Sequence, residues 1–137
     1  MTQNNETQII LLNSAARTAT PTDSSLLVEN ESAFIVAQFG RFQKYSAHII
    51  IDVTAQSGGS FIPSIQNYDK ASNKYYDVLV GKAISTTGMT NLRIGPDYAP
   101  KANLVAKDFL TQKWKLLLTH QNSNSITYSC GANVFHA

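Results

Sequence analysis

The chain has 137 residues, of which 15% are charged, and eleven Lys and Arg against nine Asp and Glu leave a net charge of +2. That is the length of one domain, and its charge lies well below the roughly 25% of an average soluble domain, so no strong field gathers nucleic acid or an anionic membrane. The single cysteine, Cys130, excludes an internal disulfide framework and a cysteine-rich zinc site.

In chain order, residues 1–6 are polar and carry neither the basic nor the apolar region of a secretory signal. Apolar runs such as Ile9-Ile10-Leu11-Leu12 and Ile49-Ile50-Ile51 fall far short of the ~20 residues of a membrane span. The expectation is a chain made in the cytoplasm, with residues 1–8 a flexible polar arm ahead of one domain over 9–137. Amphipathic helical spacing is nearly absent. What recurs instead is a run of five to nine residues rich in Val, Ile, Thr, Tyr and Phe, closed by Gly, Asn, Ser or Pro.

These runs predict strands over residues 7–12, 16–20, 33–38, 45–55, 60–68, 75–80, 83–86, 91–95, 111–120 and 125–131. Two alternate cleanly. Trp114, Leu116 and Leu118 share one face while Lys113, Lys115 and Thr119 share the other; Ile126, Tyr128 and Cys130 form a second apolar set. The uninterrupted Ile49-Ile50-Ile51 predicts a central strand covered on both sides. Ser57-Gly58-Gly59 links two strands through residues that tolerate positive φ. Ala71-Ser72-Asn73-Lys74 predicts a hairpin with Asn in the left-handed region, and Gln121-Asn122-Ser123-Asn124 joins the last two strands in the same manner. Pro63 marks an edge strand or a bulge. Pro96 and Pro100 open a loop, with a short helical turn over 104–109. About ten short strands, closely connected, predict an all-β, antiparallel β-sandwich of jelly-roll type.

The chemistry-bearing residues form no recognised motif. His48, His120 and His136, with Asp52 or Asp108, lack metal-ligand spacing, so the histidines read as strand-edge groups bonded to neighbours. There is no Gly-x-Ser-x-Gly elbow, and the alternation of Cys130 with Ile126 and Tyr128 predicts a buried, inert thiol. The nine carboxylates offer no evident acid–base pair; Asp69 and Asp97 sit beside turns, where an Asx turn accounts for them. Tyr68, Tyr75, Tyr76 and Tyr98 would suit a sugar platform if two or three shared an exposed face. Tyr75 and Tyr76 are adjacent and point to opposite faces, so one of them is expected in the core. The basic residues are scattered, and Lys113 and Lys115 read as a solvated strand face. The sequence thus assigns no catalytic, cofactor-binding or metal-binding residue. It favours a non-enzymatic protein that holds another protein surface.

Several stretches resemble a group of small tailed-bacteriophage virion structural proteins. They are Ala15-Ala16-Arg17-Thr18-Ala19-Thr20, Ala47-His48-Ile49-Ile50-Ile51-Asp52-Val53-Thr54-Ala55, and Ile65-Gln66-Asn67-Tyr68-Asp69-Lys70-Ala71-Ser72-Asn73-Lys74-Tyr75-Tyr76. Trp114-Lys115-Leu116-Leu117-Leu118-Thr119-His120 and Ser125-Ile126-Thr127-Tyr128-Ser129-Cys130-Gly131-Ala132 complete the set. Related chains tend to read Asp-Pro-Ala-Ser-Gly-Lys-Tyr at the hairpin, where Lys70 and Asn73 replace the Pro and the Gly, and Trp-Arg-Val later, where Lys115-Leu116 stands. The resemblance runs from about residue 9 to 132, with 24–40 matching least. It implies a head decoration (cement) protein on the outside of the capsid, with the major capsid protein as partner and self-association as a trimer or dimer. A tail- or neck-associated protein or a glycan-binding adhesin is the alternative, and neither nucleic acid nor membrane is an expected partner.

Overall fold

Eight strands account for nearly all regular structure in a computed structural model, which describes residues 6–21, 45–111 and 113–136. They are β1 (Glu6–Arg17), β2 (Tyr45–Gln56), β3 (Phe61–Asp69), β4 (Lys74–Val80), β5 (Gly88–Ile94), β6 (Val105–Ala106), β7 (Trp114–His120) and β8 (Ile126–His136). One sheet has the order β1-β8-β2-β5-β6 and the other β4-β3-β7. All pairings are antiparallel except β5 with β6. The two sheets pack face to face as a β-sandwich. The chain crosses from one sheet to the other between β2 and β3, β4 and β5, β6 and β7, and β7 and β8, an interleaving of the kind found in jelly rolls.

Alternation decides what lies between the sheets. Ile49, Ile51 and Val53 of β2, Leu92 and Ile94 of β5, and Ile126, Tyr128, Cys130, Ala132 and Val134 of β8 point inward. They meet Phe61 and Ile65 of β3 and Trp114, Leu116 and Leu118 of β7, all buried. β1 departs from strict alternation: Leu11 and Leu12 are both buried because its register with β8 shifts there and again before Ala15. Those bulges carry one strand from the predicted piece 7–12 into the start of 16–20, where it ends at Arg17.

Several other expectations change. Glu6, Thr7 and Gln8 pair with Phe135, Val134 and Asn133, so the arm predicted over 1–8 gives way to strand from Glu6. The strand expected over 83–86 is a single bridge between Ile84 and Phe61, and the helical turn expected over 104–109 contains β6. The strand expected over 33–38 lies outside the described residues. Gln121-Asn122-Ser123-Asn124 is a crossover rather than a hairpin, since β7 and β8 belong to different sheets. Ser57-Gly58-Gly59 makes the neighbouring crossover: Gly58 has φ 84°, and a Cβ on Gly59 would lie 2.7 Å from the Asn124 carbonyl. Ile50 is only half-buried on the outer face, so β2 is central within its sheet but not covered on both sides.

The β3–β4 hairpin forms as predicted, with Asn73 at φ 57° and its Oδ1 accepting from the Tyr68 hydroxyl at 2.8 Å. Pro63 sits in the central strand of its sheet, not at an edge. Its carbonyl accepts from Gly81 N–H at 2.8 Å, on the side where pairing with β4 ends at Val80. In a strand the N and C=O of one residue point to the same side, so the N–H that Pro63 lacks would have faced Gly81, and the ladder with β4 ends there.

Asn67 is the polar pin of the core, 2% exposed. Its Nδ2 donates to the Phe109 carbonyl at 3.0 Å and its Oδ1 accepts from Thr111 N–H at 3.1 Å, fastening the approach to β7 against β3. Asn67→Ala would take that side-chain partner from two part-buried backbone groups. The expected cost is about 1–3 kcal/mol, read as a lower urea midpoint with an unchanged slope.

Candidate functional site

The titratable residues singled out from the sequence end up apart. His48 lies on the outer face of the five-stranded sheet, with its Nε2 2.9 Å from the Tyr98 hydroxyl and its ring edge-on to Phe135. His120 points inward from β7, 2.9 Å from the Tyr128 hydroxyl of β8, so this bond crosses between the sheets. Among the described residues no group of three His, Cys, Asp or Glu side chains could hold a metal.

The His120 end of the sandwich is a packed cluster joining the two sheets. Arg17 Nη1 donates to the Tyr128 carbonyl at 2.7 Å and its Nη2 to the Asn13 carbonyl at 2.7 Å. Its guanidinium carbon stands 4.5 Å from the Tyr128 ring centre, a cation–π contact. The Phe61 ring packs against both Tyr128 and His120. His120 N–H donates to Thr20 Oγ1 at 2.8 Å, while its Nδ1 is buried without a partner among the described residues. Burial first, then the Arg17 charge, lowers the His120 pKa, and burial raises that of the Tyr128 hydroxyl. A neutral imidazole beside a neutral phenol tethers β1, β7 and β8. Cys130 lies on the same inner face, and burial pushes its thiol up to about 12, so it carries almost no thiolate at neutral pH.

The tyrosines do not form one platform. Tyr68 and Tyr75 do meet on the outer face of the three-stranded sheet, 5.0 Å apart and edge to face. Lys113 Nζ stands 4.2 Å over the Tyr68 ring and Lys115 Nζ 4.2 Å over the Tyr75 ring, covering the faces a sugar would use. Tyr98, in the loop after β5, meets His48 of the other sheet. Neither Tyr75 nor Tyr76 enters the core: Tyr75 is half-buried and Tyr76 is 48% exposed, because β4 is the outer strand of its sheet, where Leu79 is buried and Val78 packs partly against the core.

The outer face of the five-stranded sheet is the surface the sequence did not single out. The registers line up Ile10, Gly131, Ile50 and Asn91 in one row across β1, β8, β2 and β5. Gln8, Asn133, His48 and Arg93 flank it on one side, and Ser129, Asp52 and Met89 on the other. Ile10 is 74% exposed and Met89 71%. Gly131 leaves a shallow dip bounded by Ile10 and Ile50. Apolar side chains around a flat centre, rimmed by amides and single charges, have the anatomy of a protein-binding patch. The signal in the sequence was Ile10 itself, an isoleucine at an outward position of a strand.

Set against known proteins, the chain matches no family model, no curated protein and no solved structure. No helix among the described residues is long and apolar enough to cross a membrane.

Two measurements check this chemistry. Cys130 should resist a thiol reagent at pH 8 in the folded protein and react once urea unfolds it. For His120, the folded state binds its proton more weakly than the unfolded chain, whose pKa is about 6.5. Its contribution to stability is therefore complete above that value and lost as pH falls below it. The melting temperature should drop from pH 8 to pH 5, and H120Q should flatten that drop.

Proposed function

We propose that the protein is a non-enzymatic virion structural protein that decorates the head of a tailed phage, docking on the major capsid protein. The observation that carries this reading is the outer face of the five-stranded sheet, where Ile10 and Met89 stand exposed on either side of the Gly131 dip. The phage-like stretches of sequence supply the partner. Jelly-roll strand order occurs in viral capsid and lectin domains alike, so the fold narrows the role without choosing it. A shallow face of this kind binds weakly on its own. Repetition over a symmetric shell, with self-association as a dimer or trimer, converts weak contacts into durable attachment. The adhesin alternative loses its main support, since the Tyr68 and Tyr75 faces are capped by lysines.

Purified virions analysed by quantitative mass spectrometry should contain this chain at a copy number comparable with the major capsid protein. A handful of copies would move it to the neck or tail, and absence would end the virion reading. The docking face is tested separately, because deleting residues 1–8 would cut into β1. Ile10→Glu should weaken binding to undecorated heads by about tenfold or more while leaving the melting temperature nearly unchanged. Full binding by this variant would exclude the face.

A further inference from the structure

Lys82 and Lys101 are nineteen positions apart and look unrelated in the sequence, yet both line one cleft. It lies between the β4–β5 connection and the turn that precedes β6, on the flank where the two sheets part. Ser85, Thr86, Thr87 and Asn103 share its lining, and no carboxylate does. Asp52 stands opposite Met89 in the β2–β5 register. Among the described residues neither lysine makes an ion pair or a side-chain hydrogen bond. The cavity holds about 450 Å3, within the roughly 300–1,000 Å3 of small-molecule sites.

The walls are fixed before any ligand arrives. Phe61 N–H donates to the Ile84 carbonyl at 3.1 Å and Ile84 N–H returns a bond to Phe61 at 2.8 Å, pinning the first wall to β3. On the second, Val105 N–H donates to the Lys101 carbonyl at 2.9 Å, closing the turn. Asn103, at φ 65°, reaches across with Nδ2 to the Val80 carbonyl at 2.9 Å and joins the two walls. A preorganised cleft spends little of its binding free energy on ordering.

We infer that this cleft binds an anionic glycan, meaning an oxyanion carried on a polyhydroxylated ring. Two ammonium groups without a counter-charge select a phosphate or carboxylate. The run of hydroxyls matches the alternating donors and acceptors of sugar hydroxyls. The absence of an aromatic ring from the lining argues against a nucleobase, which would be held by stacking. This inference does not depend on the decoration reading, and its test needs no virion.

The full-length 15N-labelled protein would be titrated with glucose 6-phosphate, glucuronate and neutral glucose while backbone amide shifts are followed. Saturable shifts confined to residues 82–90 and 101–104 are expected with one or both anions and not with glucose. A response to the phosphate alone assigns a phosphorylated glycan, and a response to glucuronate alone a carboxylated one. Lys82→Ala with Lys101→Ala should weaken binding by about tenfold or more, with the rest of the spectrum unchanged, and Lys→Arg at both positions should restore most of it. Equal shifts with glucose, shifts scattered over other lysines such as Lys113, no shifts, or indifference to the double alanine variant would each overturn the assignment.

Discussion

The constraint on which this molecule rests is the two-residue period of β8. That strand lies between β1 and β2 and turns Ile126, Tyr128, Cys130, Ala132 and Val134 into the core. A slip of one residue would bury Ser129 and Asn133 and expose Tyr128. Register is therefore fixed by which face can be dry. The same alternation places Gly131, Asn133 and Ser129 outward, so the dip on the outer face is a consequence of how the inner face is built. Function, on this view, is written on positions the core did not need.

Among the described residues, the polar groups inside the sandwich include several that hold its parts together. Asn67 fastens the chain ahead of β7 to β3, and the His120–Tyr128 bond tethers one sheet to the other beside the two crossovers. Arg17 closes that end by bonding backbone carbonyls and covering the Tyr128 ring. His120, Tyr128 and Cys130 have the types a catalytic site uses, but burial drives them toward their neutral forms. Low dielectric favours uncharged groups, and the Arg17 charge offsets only part of that for the thiol and the phenol.

The surface divides by chemistry. The outer face of the three-stranded sheet is self-satisfied: lysines sit over tyrosine rings, and Gln66 donates to Asp77 at 2.8 Å. The outer face of the five-stranded sheet leaves Ile10 and Met89 in solvent, and the flanking cleft leaves two lysines without counter-charges. Groups whose needs are met internally have little to offer a partner. Groups left unmet are where binding free energy can still be gained.

By itself the sequence determined much of what depends on near neighbours. Alternation in Trp114-Lys115-Leu116-Leu117-Leu118 and in Ile126-Thr127-Tyr128-Ser129-Cys130 made the β-class, the buried faces and the inert Cys130 legible. Asn73 announced its left-handed turn, because only the backbone of that residue and its side-chain oxygen are involved. Which strand pairs with which was decided by the tertiary structure. The pattern of β7 is the same whether its neighbour is β8 or β3, so the crossover at 121–124 resembles a hairpin, and Pro63 resembles an edge signal until the end of β4 is located. The meeting of Tyr68 with Tyr75 but not Tyr98, the row from Ile10 to Asn91, and the convergence of Lys82 with Lys101 are likewise tertiary facts. Local sequence sets the face a side chain takes, whereas long-range burial sets what that face meets.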